Sequence, residues 1–412
     1  MSEDSFTEVT HESWVSRVGG ALKAVLFGLV LFVIAFPLLF WNEGRAVKRY
    51  KTLSEGGGVV VSVTSDNVDT ANEGKLIHVT GKADTDAILS DPVFGVSANA
   101  LKLKRTVEMY QWKETSQSKT KKTIGGGTET VRTYTYGKTW TDKPISSTGF
   151  KEAANHRNPP SIPYESTQQI AHGATLGAYN LSSSLVDKID SLEPLPVGSD
   201  TPLPASLKNK ANVFDGKFHF GADPASPQVG DIRVKFQFVR PTEVSIIAKQ
   251  AGSTFEPYRT EAGGEIELLQ TGTHSAGAMI QDAQESNKIL TWILRLVGLM
   301  AIWIGLSMIL RPLSVVADVL PILGDIVGAG TGIISFLLAS ILSLLTISIA
   351  WVVYRPVLGV LLMAVSAGLI MGVMAKLKSA KKRHNDKVFA WVLPDEGVSM
   401  FTWALAGSSE RS

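Results

Sequence analysis

The chain contains no cysteine. That single absence excludes disulfides, thiolate nucleophiles, iron–sulfur clusters and cysteine-ligated zinc together, and leaves the redox compartment open. A charge imbalance is also missing. Forty basic and 38 acidic residues give a formal net charge of +2, far from the basic surface needed to neutralise a phosphate backbone, so nucleic acid is excluded as a partner. His11, His78, His156, His172, His219, His274 and His384 are scattered, with no His-x-x-x-His pair. The chain has no Gly-x-Ser-x-Gly elbow, and Gly125-Gly126-Gly127 lacks the Gly-Lys-Ser/Thr ending of a phosphate loop. Asp84, Asp86 and Asp91 do not have the spacing of a calcium loop and read as a solvated turn before Pro92. No catalytic residue, cofactor or metal is therefore assigned, and the chain is read as a non-enzyme.

Charge is also absent from long stretches, and those stretches organise the chain. Ile326 to Ala375 is fifty residues whose only formal charge is Arg355. A bilayer core about 30 Å thick takes roughly 20 helical residues, so fifty make two spans. The break falls at Tyr354-Arg355-Pro356, where an interface-seeking aromatic, a charge and a proline coincide. Ala24 to Trp41 is eighteen residues without a charge, ends on an aromatic and shows no small-x-small cleavage site. It reads as an uncleaved signal-anchor helix. Ile289 to Leu310 is a further span carrying only Arg295, whose long side chain is placed to snorkel to the headgroups, and Arg311-Pro312 closes it.

The predicted organisation is thus a cytoplasmic tail at 1–23, span one at 24–41 and a β-rich extracytoplasmic or luminal domain at 42–288. Span two at 289–310, an interfacial linker at 311–325, span three at 326–354, span four at 356–375 and a basic cytoplasmic tail at 376–412 follow. The fold class is α+β: four transmembrane helices, one N-terminal and three C-terminal, with a large β-rich extramembrane domain. Residues Met1 to Gly20 read as a mobile tail, and Gly328, Gly330 and Gly332 as an irregular start to span three.

Candidate strands lie at Gly58–Val63, Lys75–Gly81, Leu101–Lys113, Val213–Phe220, Asp231–Val239, Glu243–Gln250 and Glu265–Leu269, with a short helix over Leu181–Leu192. The best hairpin joins Thr106–Trp112 to Val131–Tyr136 across a solvated Ser116–Thr130 tip, and Tyr110 and Trp112 would face Tyr134 and Tyr136. The likeness of Glu73–Val79 to Val229–Val234 leaves a duplicated small β-barrel as one reading of the domain.

In span four, Ala364, Gly368 and Gly372 fall four apart on a small-residue face suited to close helix packing. Lys376, Lys378, Lys381, Lys382, Arg383 and Lys387 follow at once, a cluster that retains the cytoplasmic side and contacts anionic lipid. Span one dissents, with Arg45, Lys48, Arg49 and Lys51 after it against Arg17 and Lys23 before it. Asn42-Glu43-Gly44-Arg45 has two readings. Structurally, Gly44 ends the first helix while Glu43 and Arg45 pair in the headgroup layer. Functionally, the motif receives another span or a partner.

Several strings in order resemble the transmembrane protein 43 family, also called LUMA. They are Asn42-Glu-Gly-Arg-Ala46, Asn72-Glu-Gly-Lys-Leu76, Leu89-Ser-Asp-Pro92, Val107-Glu-Met-Tyr-Gln-Trp112, Val229-Gly-Asp231 and Tyr354-Arg-Pro356, covering about Gly19 to Lys382. The resemblance implies one span, a large luminal domain and three further spans. It also implies a non-enzymatic role organising membrane protein complexes, in animals at the endoplasmic reticulum and inner nuclear membrane with lamins and emerin. The expected partners of this chain are membrane lipids and other membrane proteins, with homo-oligomerisation open. The expected site is the bacterial inner membrane in a prokaryote and the endoplasmic reticulum or inner nuclear membrane in a eukaryote. The alternatives are an oligomeric channel or transport accessory, then a membrane-anchored hydrolase.

Overall fold

The computed structural model describes residues 4–198, 201, 204–205, 207–208, 210–356 and, beyond these, 360–361, 364–365, 367–368 and 371–372. The chain divides into two compact units, Met1–Ser343 and Leu344–Ser412. Four helices are described: α1 (Trp14–Val59), the short α2 (Ser183–Lys188), α3 (Ala276–Ala317) and α4 (Pro321–Tyr354). Three of them, α1, α3 and α4, are long and apolar enough to cross a membrane.

These helices overrun the ends that sequence signals set. Gly44 does not end α1, which runs 46 residues to Val59. The residues after Gly44 are good helix formers, and Val47 and Leu53 are buried, so packing outweighs one glycine. Arg311-Pro312 does not close α3, which continues to Ala317. An internal proline removes one backbone bond, and the helix absorbs that loss. The expected interfacial linker shrinks to Asp318–Leu320, and Gly328, Gly330 and Gly332 are helical within α4. Ser275 caps α3 by accepting from the Ala278 N–H, the expected start. The fourth span lies mostly outside the described residues, and the basic cluster Lys376 to Lys387 lies wholly outside them.

The β-rich region forms two main sheets. In the first, the order is Ser5–Glu12, Thr128–Thr141, Lys102–Lys122, Ile232–Val239, Lys217–Phe220, Asn212–Phe214, with Thr167–Ile170 also paired to Lys102–Lys122 and Glu193–Leu195 to Ile232–Val239. Ile232, Val234, Phe236 and Phe238 alternate with Arg233, Lys235 and Gln237, so one face packs with Val107, Met109, Phe94 and Phe218 and the other meets water. Val213–Phe220 is not one strand but a hairpin turning at Asp215-Gly216, where φ is 50° and 67°. The second sheet runs Leu268–Thr271, Thr242–Ala251, Thr254–Glu256, Tyr179–Asn180, Thr175–Leu176, Leu76–Asp84, Val61–Val63, with Thr242–Ala251 also paired directly to Leu76–Asp84. The two sheets have eight and seven strands and different orders, and the two similar segments sit in different sheets. A duplicated barrel is therefore not supported.

Two departures matter for the site. Ser5–Glu12, expected as a mobile tail, is a strand paired along its length with Thr128–Thr135. Lys102–Lys122 and Thr128–Thr141 pair continuously from Met109↔Thr141 to Lys122↔Thr128, so the supposed fifteen-residue loop is mostly ladder. That register sets Tyr110 opposite Trp140, with ring centroids 5.1 Å apart, and Tyr136 opposite Glu114 rather than an aromatic. From Lys113 onward these strands and Ser5–Glu12 form a three-stranded ribbon projecting beyond the sheet's packed core.

Candidate functional site

The polar chemistry of the chain gathers where α1 meets α3. Asn287, Thr291 and Arg295 recur every four residues and so share one face of α3. Asn42, Glu43 and Arg45 present the matching face of α1. Arg295 holds Glu43 through Nε at 2.7 Å and Nη2 at 2.8 Å, a two-point grip on a carboxylate only 2% exposed. Arg295 therefore does not snorkel to the headgroups. It lies over the Trp292 ring at 4.7 Å and is 15% exposed. Asn42 donates to the Thr291 carbonyl at 3.1 Å. Arg45 donates to Asn287 Oδ1 at 2.9 Å, Thr291 Oγ1 at 3.0 Å and Asn42 Oδ1 at 3.2 Å, and Asn287 returns a bond to the Ala46 carbonyl at 3.0 Å. Of the two readings of Asn42–Arg45, receipt of another helix is the one the geometry meets, and that helix is α3. Gly44 carries no terminating role.

Deeper along the same pair the helices touch through glycine. A Cβ on Gly28 would lie 2.7 Å from Met308 Cβ and 2.8 Å from the Gly305 carbonyl, and one on Gly298 would lie 2.4 Å from Leu39. Leu39, Ala35, Ile302 and Ala339 close a small core there among α1, α3 and α4. Asn287-x-x-x-Thr291-x-x-x-Arg295 was a readable signal for the seam. The glycine contacts had none, since Gly298 and Gly305 are seven apart.

A second polar cluster fastens the opposite ends of these helices. Asp318, its side chain 2% exposed, takes both Arg17 and, at 2.6 Å, Lys122, while Lys122 also reaches Asp325 at 2.7 Å. The Trp14 indole donates to the Val315 carbonyl at 2.9 Å, and the ribbon tip at Gly126 lies tightly against that indole and accepts from Arg17. No sequence rule pairs positions 17, 122 and 318.

At the ribbon's base, Asp4, Glu152 and His156 are the described residues whose ligand atoms lie within 4.8 Å of one another. Both imidazole nitrogens are engaged, Nε2 with Asp4 at 2.7 Å and Nδ1 with the Glu152 carbonyl at 3.0 Å. The ring stacks on Tyr136 at 3.7 Å. The group bolts the N-terminal strand in place. Burial and the Glu114 hydrogen bond push the Tyr136 phenol up to about 12. Asp91 accepts from Arg105 at 2.6 Å and from the backbone of Val93 and Phe94, so the expected solvated turn is a buried ion pair.

The hairpin residues Tyr354, Arg355 and Pro356 belong to the second unit, where α4 ends at Tyr354 and Arg355 lies 5.9 Å from the Trp351 ring. A Cβ at Gly368 or Gly372 would meet nothing within 4 Å, and Ala364 and Gly368 are exposed.

These features define a multi-span membrane protein whose helices α1 and α3 are joined by a buried polar seam and which carries a β-rich region. The family model for transmembrane protein 43 matches residues 109–356. Transmembrane protein 43 of Rattus norvegicus is 35% identical over 367 residues, 86% of this chain and 90% of its own. The Homo sapiens protein is 34% identical over 364 residues, 86% and 90%. The Drosophila melanogaster transmembrane protein 43 homolog is 31% identical over 351 residues, 83% and 92%. No solved structure matches the chain. The chain belongs to the transmembrane protein 43 family.

Proposed function

We propose that this protein is a non-enzymatic, multi-pass membrane scaffold that organises other membrane proteins or lipids around its β-rich region. The observation that supports this reading is the double attachment of α1. Near its C-terminal end, Leu53 packs with Leu76 and Ile247 of the second sheet, with Ile266, and with Met279 and Ile280 of α3. Near its N-terminal end, Trp14 and Arg17 are held by the ribbon tip of the first sheet. A platform fixed at two points transmits the position of the membrane helices to the sheets, which is what assembly of partners requires. Apolar side chains such as Phe27, Val30, Ile34, Ile293 and Leu296 stay exposed on α1 and α3 to meet lipid or other spans. In this proposal residues 356–375 supply a fourth span, and the basic cluster after it contacts the lipid surface. The compartment proposed is the endoplasmic reticulum or inner nuclear membrane in a eukaryotic cell. Mild-detergent purification followed by mass spectrometry tests the reading: distinct membrane proteins should co-purify, and recovery of a lone monomer with hydrolase activity would overturn it.

One observation favours the channel reading as the second. The central strand of the ribbon is polar on both faces, Glu114, Ser116, Ser118 and Thr120 on one and Lys113, Thr115, Gln117, Lys119 and Lys121 on the other. The ribbon's base lies in the first sheet, and its tip reaches Trp14 and Arg17 at the start of α1 and the Val319 carbonyl just beyond α3. From Lys113 to Lys122 the ribbon extends about 33 Å, the reach of about 22 helical residues. Such a ribbon needs water throughout. Several copies enclosing a water-filled interior meet that need in a channel. Ion-selective flux through liposomes carrying the pure protein would promote the second.

A further inference from the structure

A groove of about 470 Å³ opens beside the α1–α3 seam, within the size range of small-molecule sites. Two arginines one helical turn apart, Arg45 and Arg49, line it together with Gln270 and Ser286, and Met279 and Leu290 supply an apolar wall. Its depth is set by both helices. The apolar run of α1 ends at Trp41 and that of α3 begins at Ile289. The Arg45 backbone therefore sits about 6 Å beyond the hydrocarbon edge, in the headgroup layer, and that of Arg49 about 12 Å beyond it, from where its long side chain reaches back toward that layer.

Two buried polar atoms on this lining have no partner: Arg45 Nε, a donor, and Gln270 Oε1, an acceptor. Arg45 uses its two terminal nitrogens on Asn42, Asn287 and Thr291, which holds the guanidinium plane fixed and leaves Nε as the unmatched donor. Arg49 donates through Nη1 to the Glu265 carbonyl at 2.9 Å. The Gln270 amide nitrogen donates to Asp282, also on the lining, at 3.2 Å, which fixes Oε1 as the remaining acceptor. A ligand that completes this set presents an anion to the arginines and an N–H or O–H to Gln270 and Asp282, with an apolar portion toward Leu290.

We propose that this groove binds the headgroup of one phospholipid, its phosphodiester on Arg45 and Arg49 and its ammonium or hydroxyl donor on Gln270 and Asp282. The site deepens the scaffold reading by giving it a lipid ligand. Phosphatidylethanolamine and phosphatidylcholine separate the two halves of the recognition, because both carry the phosphodiester and only the former carries N–H donors.

The test is native mass spectrometry of the full chain in mild detergent, titrated with each lipid and with inorganic phosphate. One phosphatidylethanolamine should remain bound, about ten-fold tighter than phosphatidylcholine, the worth of one hydrogen bond to a charged group. Arg49→Gln should weaken it about ten-fold. Gln270→Leu, which removes the unpaired acceptor together with the bond to Asp282, should narrow the preference between the two lipids. Equal binding of the two lipids by the unaltered chain would overturn the donor half of the proposal. Unchanged binding by Arg49→Gln would overturn the phosphodiester half. Displacement of the lipid by millimolar inorganic phosphate would make the site one for free phosphate. Failure of the scaffold reading would appear separately, as a wild-type chain that keeps the lipid yet brings no membrane protein with it.

Discussion

Glu43 and Arg295 stabilise each other because neither can be solvated where it lies. Removing one partner of a buried pair leaves an uncompensated charge, at about 3–5 kcal/mol, whereas replacing both by apolar residues is far milder. Glu43→Leu should therefore lower the thermal midpoint in detergent much more than Glu43→Leu combined with Arg295→Leu; a double variant as unstable as the single one would contradict the pairing. His78 gives a pH signature outside the membrane. Burial pushes its imidazole below the usual 6.5, and the bond to the His274 carbonyl only partly offsets this. The folded state thus favours neutral His78, while the unfolded chain takes up the proton as pH falls below about 6.5. Stability from this group is complete above that pH and is lost as pH drops through the lowered folded value. Melting curves at about pH 7.5 and 5.5 should show a smaller difference for His78→Gln than for wild type; equal differences would place the pH sensitivity elsewhere.

Helix pairing rests on glycine as much as on charge. A side chain at Gly305 would meet the Gly28 carbonyl at 2.8 Å and the Phe32 N–H at 2.9 Å, both backbone atoms that cannot turn aside. Gly305→Val should cost about 1–3 kcal/mol, read as a lower thermal midpoint, and an unchanged midpoint would mean the helices do not touch there. The ribbon has its own test. With Asp318→Asn, Arg17 loses its carboxylate and Lys122 keeps only Asp325, and trypsin cleavage after Lys119 or Lys121 should quicken about ten-fold, the effect of losing one charge-assisted hydrogen bond. The apolar runs of all three described spanning helices were legible as uncharged stretches of bilayer length. Their ends were not, because Gly44 and Pro312 resemble stops and only the burial of Val47 and Leu53 and the clasp at Asp318 explain why the helix continues. The ribbon was illegible for a different reason. In Lys113–Lys122 both faces are Thr, Ser, Gln, Lys and Glu, so period-two hydrophobicity vanishes there, and what orders the ribbon is backbone pairing between distant segments. The seam lay halfway between, since Asn42–Arg45 stood out and its partners on α3 were spaced as a helical stripe whose target no sequence rule names.

At the scale of the molecule, water along the ribbon and lipid along the helices must coexist over the same length. A polar, open-edged ribbon inside hydrocarbon would leave backbone groups and charges unsatisfied at several kcal/mol each, more than a folded domain's whole stability once summed. The chain's lack of cysteine makes the partition directly measurable. Single cysteines are placed on the ribbon at Thr10, Lys119 and Thr130, and on the helices at Phe27 and Leu296, then exposed in native membranes to a membrane-impermeant maleimide applied to each face in turn. The account predicts that all three ribbon positions label and that neither helix position does. Labelling that depends on oligomer integrity would favour a shared aqueous interior. Ribbon cysteines as protected as Phe27→Cys would contradict the account, because a ribbon sealed in lipid could not hold the structure described.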